Sequence, residues 1–189
     1  MATKPLPSPE VLGQLLRYDP DTGKLFWKER GPEWFRNHSK RSPEHACANW
    51  NARYAGANAG TISTSGHRQI RLGGQWVLAH RAAYAIMCGH YPEASIDHIN
   101  LDPDDNRWVN LRLATPTQNA ANTAKRTGCS STYKGVTWAK NEGKWVASIH
   151  KNGSRISLGY YDDERLAAAA YNGAARVLFG GFMRGNHIP

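Results

Sequence analysis

The chain of 189 residues is poor in cysteine, in acid and in unbroken apolar stretches. Its three cysteines, Cys47, Cys88 and Cys129, stand far apart and form no CxxC pair. A cysteine-rich zinc ribbon is therefore excluded, and free thiols suit a reducing cytoplasm. No stretch approaches the roughly 18 apolar residues that a membrane span needs. The opening Met1-Ala2-Thr3-Lys4-Pro5-Leu6-Pro7 has no apolar signal core, so neither a transmembrane helix nor secretion is expected.

Acid is the other shortage. Against 24 Lys and Arg stand 15 Asp and Glu, for a formal net charge of +9 and a pI of about 9.7. Residues 129–189 carry eight basic against four acidic groups, and residues 1–128 sixteen against eleven. A polyanionic partner follows, because basic groups release the counterions condensed on phosphates. No basic amphipathic helix stands out, which favours nucleic acid over a membrane surface. The hydrophobic share of 40% is enough for a globular core in one domain or two small ones.

The chain opens with a helix expected from Pro9 to Leu16. A hairpin follows, with turn chemistry in Tyr18-Asp19-Pro20-Asp21-Thr22-Gly23 and strand character in Lys24-Leu25-Phe26-Trp27-Lys28. Residues 29–58 predict an irregular excursion with a short helix near Pro43 to Asn49. A second hairpin is expected where Gln69-Ile70-Arg71-Leu72 turns at Gly73-Gly74 and returns through Gln75-Trp76-Val77-Leu78. His80 to Met87 reads as helix, ended by Gly89. Thr115 as N-cap, Pro116 at the first position and Gln118 completing a capping box start another helix. Residues 123–132 read as a linker. Beyond it come strands from Gly135 to Trp138, Lys144 to His150 and Arg155 to Gly159. A final helix, about Asp163 to Phe179, is capped by Asp162 and buries a stripe of Leu166, Ala170, Ala174 and Val177.

The chemistry concentrates at Ile96-Asp97-His98-Ile99-Asn100. Twelve residues after His98 comes Asn110, and nine further on Asn119. An aspartate can hold a hard cation, a histidine can deprotonate water, and an amide oxygen can complete a metal site. Neighbouring strand residues face opposite ways, so Asp97 and His98 can serve one site only where the strand ends, twists or bulges. Leu101-Asp102-Pro103-Asp104-Asp105-Asn106 supplies such a break. Asn110 suits a structural role, bonding backbone across the loop to hold His98. Asn122, one helical turn from Asn119, is an alternative ligand. His80, near Tyr84 on an apolar helix, reads as a satisfied core histidine. Asp102, Asp104 and Asp105 read as a solvated loop, and Arg107 and Arg112 as phosphate binders or plain surface arginines.

The order His98, Asn110, Asn119 across strand, loop, strand and helix resembles the HNH nucleases, whose ββα-metal motif cuts nucleic-acid backbones. With Tyr18 to Gly23, Gly56 to Gly60, Ile70-Arg71-Leu72 and His80-Arg81, it looks like the phage-type homing endonucleases of that family. The resemblance implies a catalytic set of His98, Asp97, Asn119 and Asn110. His98 is the base, and Asp97 and Asn119 hold one divalent ion, Mg²⁺ with Mn²⁺ as the alternative. It also implies a phage-infected or bacterial host cytoplasm.

Tyr133-Lys134-Gly135-Val136-Thr137-Trp138, Lys144 to Ile149, Leu158-Gly159-Tyr160-Tyr161 and Ala167 to Asn172 resemble the APETALA2/ethylene-response DNA-binding domain. That family implies a three-stranded antiparallel sheet lying in the DNA major groove with a helix behind it. Alternation predicts Val146, Ile149, Ile156 and Leu158 on the buried side. Lys134, Thr137, Ser148, His150, Arg155 and Ser157 are expected to be exposed toward DNA. Plant members carry arginine where this chain has Lys134, Thr137 and His150, so no plant target sequence carries over.

The expectation is an α+β chain: an N-terminal β-hairpin module and ββα-metal (HNH) motif, at about 95–125 within residues 1–127, followed by a three-stranded antiparallel sheet packed on one helix in residues 128–189. Its expected function is site-specific nicking of double-stranded DNA by a monomer. The rival is a non-catalytic DNA-binding regulator with a degenerate HNH fold.

Overall fold

A computed structural model describes residues 5–37, 41–125 and 127–189. The described chain is mixed α and β, with small sheets and five α-helices, and divides into two compact units, residues 1–113 and 114–189.

The first unit begins with α1 (Pro9–Leu15), whose Ser8 side chain accepts from the Val11 N–H. Its Leu12 and Leu15 are buried, and the chain leaves directly into β1 (Leu16–Asp19), which pairs with β2 (Lys24–Trp27). The expected excursion contains a longer helix than its sequence suggests. Here α2 (Pro43–Tyr54) runs a full 12 residues, past Asn49. Stacked rings explain the extension: Trp50 meets Trp27 edge-on at 5.6 Å and Tyr54 at 5.4 Å, and the Arg30 guanidinium lies 3.8 Å over Trp50. Next come β3 (Thr61–Ile62), β4 (Arg68–Leu72) and β5 (Gln75–Leu78), an antiparallel sheet that runs straight into α3 (Ala79–Cys88). Leu12, Leu16, Leu25, Ile70, Val77 and the alanines of α3 close one core. The unit ends with β6 (Ser95–His98), paired with β7 (Leu111–Ala114).

The second unit begins with α4 (Pro116–Asn122), where the Thr115/Gln118 capping box forms in both directions, at 3.2 and 2.9 Å. The residues between Asn122 and Val136 that are described hold no helix or strand. Then β8 (Val136–Ala139), β9 (Lys144–Lys151) and β10 (Ser154–Tyr161) form an antiparallel sheet in the order β10-β9-β8, with α5 (Glu164–Phe179) packed on it. Asp163, not Asp162, caps α5, accepting from the N–H groups of Arg165 and Leu166. The buried face of α5 is also displaced from the expected stripe. Ala167, Ala168, Tyr171, Ala175 and Phe179 are buried, while Leu166 and Val177 face solvent at 60% and 86% exposure. Alanines bring the helix axis close to the sheet, and Tyr171 and Phe179 fill the widening end with Ile149 and Ala121 of α4. Contacts therefore group α4 with the residues that follow it.

Register sorts the sheet's two faces. Val136, Ala147 and Trp145 pack toward α5. Val146 lies across from Thr137 and Tyr160, so it belongs to the opposite face, not to the buried side expected for it. It is nonetheless only 7% exposed, because its neighbours cover the central strand. Ile156, also expected inside, is 39% exposed on the edge strand.

Gly135 tests this packing. Its φ is +75°, and a Cβ there would run into the Tyr171 ring and lie 2.7 Å from the Ser148 carbonyl oxygen. Gly143 has φ +60° but open space around it. Gly143→Ala should cost about 1–2 kcal/mol for the left-handed backbone alone. Gly135→Ala should cost roughly 2–5 kcal/mol, adding overpacking to that strain. Urea midpoints at unchanged m-value would compare them. Equal losses would mean that Tyr171 does not pack against Gly135.

Candidate active site

Three consecutive residues of β6 are buried: Ile96, Asp97 and His98, at 8%, 3% and 7% exposure. A strand hidden on both faces must give each polar side chain a partner. The Asp97 Oδ2 accepts from Nε and Nη2 of Arg112 on β7, at 2.8 and 2.7 Å. Arg112 is thus an ion-pair partner of the buried carboxylate, not a surface phosphate binder.

His98 turns to a residue that sequence reasoning missed. Its Nε2 lies 3.2 Å from Oδ1 of Asn106, which is 1% exposed. The Asn106 Nδ2 donates to the Asp104 carbonyl at 3.1 Å, so the amide oxygen faces the ring. An amide oxygen can only accept, so Nε2 carries the ring proton and the basic lone pair sits on Nδ1. An asparagine in an acidic loop gives no sequence signal for this role; only its burial does.

The loop after His98 holds that geometry. Leu101 takes a φ of +68°, and its N–H returns to the His98 carbonyl at 3.0 Å, closing the strand in a tight turn. The Asn110 Oδ1 accepts from the Asn100 N–H at 3.0 Å, and its Nδ2 donates to Asn100 Oδ1 at 2.9 Å and the Asp105 carbonyl at 2.7 Å. Asp102 is exposed, as expected, but Asp104 and Asp105 are clamps rather than solvated acids. Asp104 makes two 2.8 Å bonds with Arg68, and Asp105 pairs with Arg107 at 2.6 Å. The Arg107 hydrogen bond is the main reason that the Asp105 carboxyl is pulled down to about 2.

His98 has two further ring neighbours, His80 at 5.1 Å and His67 at 5.8 Å between centroids, and His67 lies 5.4 Å from His80. His80 is buried as expected, but it is not satisfied: its Nδ1 makes no hydrogen bond. Burial, then the neighbouring His98, His67 and Arg81, push the His80 imidazole down to about 3. Burial also lowers His98, against the opposing effect of the Asn106 hydrogen bond.

Asn119 and Asn122 lie on α4 in the second unit, Asn119 half-buried and Asn122 buried. That unit also places the residues expected to face DNA. Thr137, His150, Arg155 and Ser157 are exposed, and His150 pairs with Arg155 and Ser148 with Ser157 across β9 and β10. Ser148 shares their face but is buried, at 9% exposure. Lys134 is not on the sheet surface. Its ammonium caps the C-terminal end of α4, donating to the carbonyls of Ala121 at 2.7 Å and Thr123 at 2.8 Å. Burial and then Arg184 lower its pKa to about 8.

Residues 77–121 match the family model described as HNH endonuclease. Similar proteins include an uncharacterized HNH endonuclease of Acanthamoeba polyphaga mimivirus, 38% identical over 111 residues, covering 58% of this chain and 57% of that protein. Protein 3.8 of Escherichia phage T7 is 32% identical over 89 residues, covering 47% of this chain and 73% of that one. The dehydration-responsive element-binding protein 2D of Arabidopsis thaliana is 42% identical over 82 residues, covering 35% of this chain and 38% of that one. The chain thus spans little more than half of the mimivirus protein and less than half of the plant one. No solved structure matches. Among the described residues no helix is long and apolar enough to cross a membrane.

Burial of the two imidazoles makes a pH prediction. Unfolded, His80 would take a proton near the ordinary value of about 6.5; folded, it resists until about 3. The folded state therefore binds fewer protons, and its stability falls as pH drops from the first value toward the second. In chelator-treated buffer, wild type should lose stability relative to His80→Leu over that window, and the His98 ring should titrate below 6.5 by NMR. A His98 midpoint above 6.5 would show that its ring is not desolvated.

Proposed function

We propose that this chain, which belongs to the HNH endonuclease family, is a metal-dependent endonuclease that nicks double-stranded DNA at a selected site, with His98 as its general base. The observation that carries this reading is the Asn106 carboxamide, which fixes the His98 tautomer and leaves Nδ1 as the proton acceptor. Nδ1 takes a proton from water, the water oxygen bonds to phosphorus, and the bond to the 3′-oxygen breaks; that oxygen takes a proton from solvent, giving a 5′-phosphate and a 3′-hydroxyl. A base whose pKa is lowered by burial stays neutral, and so ready to accept, throughout the neutral range.

Asp97 and Asn119 are the proposed ligands of one divalent ion, Mg²⁺ or Mn²⁺. Donor chemistry alone supports this assignment: a carboxylate and a neutral amide offer the hard oxygens such ions prefer. Bound there, the ion would neutralise charge on the phosphate and the leaving oxygen. Arg112 holds the Asp97 carboxylate in place. Asn110 keeps the loop closed without itself meeting the substrate.

Residues 1–127 are the proposed nuclease region and residues 128–189 the DNA-reading one. The plant relative's name says that it binds a dehydration-responsive element, and the exposed Thr137, His150, Arg155 and Ser157 give this sheet a polar and basic face for a major groove. The phage relative is in keeping with a phage-infected or bacterial host cell, where a homing role would be played.

The decisive assay follows supercoiled plasmid carrying candidate targets. One site per monomer should give open circles before any linear product appears. Linear product from the start, with a sedimenting dimer, would overturn the monomeric nickase. His98→Ala should lower single-turnover cleavage by about 10²–10⁴-fold with duplex affinity nearly intact; unchanged cleavage removes His98 as the base. Arg155→Ala should weaken DNA binding and reduce its salt slope by about one unit. An unchanged slope would place the phosphate contact elsewhere.

A further inference from the structure

We propose that His67, His80 and His98 form a second metal site, for a borderline divalent ion best represented by Zn²⁺, and that filling it switches the nuclease off. The second half rests on the reading of His98 as the base; the first does not.

The site lies wholly in the first unit. One ligand nitrogen from each ring lies within 4.8 Å of the other two. Tetrahedral Zn²⁺ with bonds of about 2.0–2.1 Å needs ligand nitrogens roughly 3.3 Å apart. Binding would draw the three nitrogens in from their present separations to that spacing. His67, half-buried in the segment before β4, is the least enclosed of the three rings.

Each ring is prepared differently. The Ser65 hydroxyl engages Nδ1 of His67 at 3.2 Å, and Asn106 engages Nε2 of His98 at 3.2 Å. A metal-ligating imidazole is held in this way, through one nitrogen by a hydrogen-bonding partner. His80 supplies the independent sign of a missing ligand. It is 6% exposed, and its buried Nδ1 has no hydrogen-bond partner. A buried ring nitrogen without a partner is costly, and a metal ion removes that cost. Packing three imidazoles together has no advantage for an apolar core, which Leu or Phe would fill better.

Donor chemistry separates this site from the one proposed for Mg²⁺. Imidazole nitrogens select Zn²⁺, Cu²⁺ or Ni²⁺, whereas carboxylate and amide oxygens select Mg²⁺ or Mn²⁺. The two sites meet only at Asp97-His98. An ion bound through His98 holds the lone pair that would otherwise accept the proton from water. Zn²⁺ should therefore inhibit without displacing Mg²⁺.

The test uses the full chain. Zn²⁺ titrated calorimetrically into metal-free protein should bind at one equivalent. His67→Ala, at a half-buried turn position, should fold normally and lose affinity by at least about 100-fold, since even outer partners of a ligand cost up to that order. Co²⁺ should give a tetrahedral absorption spectrum in wild type that His67→Ala lacks. In plasmid nicking with saturating Mg²⁺, Zn²⁺ should inhibit wild type and leave His67→Ala active. No Zn²⁺ binding, or binding unchanged in both His67→Ala and His80→Ala, overturns the site. Binding through His67 with no effect on nicking overturns the switch. Binding through His67 in a protein that cuts no DNA in any metal leaves the site standing and sinks the nuclease reading instead.

Discussion

A buried imidazole must hand its ring proton to an acceptor, and at His98 that acceptor is the Asn106 carboxamide. The other features of the first unit's site follow from keeping that amide in place. Its backbone carbonyl accepts from the Tyr18 hydroxyl at 2.6 Å, its side-chain nitrogen is tied to Asp104, and Asp104 is gripped by Arg68. Burial pushes the Tyr18 hydroxyl well above its ordinary range, so it remains a donor. What looks like a loop of loose acids is a set of charge-assisted clamps whose common effect is to aim one ring.

The polar clamps also explain how a short strand can be buried on both faces. Asp97 carries a charge into the interior, which is tolerable only because Arg112 brings the opposite charge to the same oxygen. Asn110 spends both ends of its amide on Asn100 and Asp105. Little of this polarity is left over for solvent, and of the three clustered rings only His67 is more than marginally exposed.

Features built from near neighbours were legible in the sequence. The Thr115 capping box, the Gly73-Gly74 hairpin and the Gly89 helix end each follow from a few adjacent residues. Spacing singled out His98 and Asn110, and the structure shows Asn110 bonding across the loop that follows His98. What sequence could not supply were partnerships between distant positions. Asn106 and His67 look like ordinary loop residues until folding sets them beside His98. Arg112 looks like a surface cation until β7 lies against β6. Alternation misplaced Val146 because shielding by neighbouring strands hides the middle of even an outward face. The stripe on α5 was misjudged because the buried face, Ala167, Ala168, Tyr171, Ala175 and Phe179, is turned by about one residue from the row of Leu166, Ala170, Ala174 and Val177. Lys134 was misread because its reach, back to the end of α4, is invisible in a strand-period pattern.

The N-terminal hairpin has a further significance. The Trp108 N–H bonds to the Pro20 carbonyl at 2.9 Å, and Gly23, at φ +71°, lets the turn approach the Asn106–Arg107 backbone so closely that a Cβ would lie 2.4 Å from it. The turn at residues 18–23 is therefore a buttress for a loop more than eighty positions later in the chain. The family segment, residues 77–121, contains the ring but not the brace. For anyone trimming, grafting or swapping this nuclease module, the transplantable unit is not the segment by which it is recognised. It must bring along a hairpin that lies outside that segment, and two chains alike over the segment can differ in how firmly the His98 ring is held.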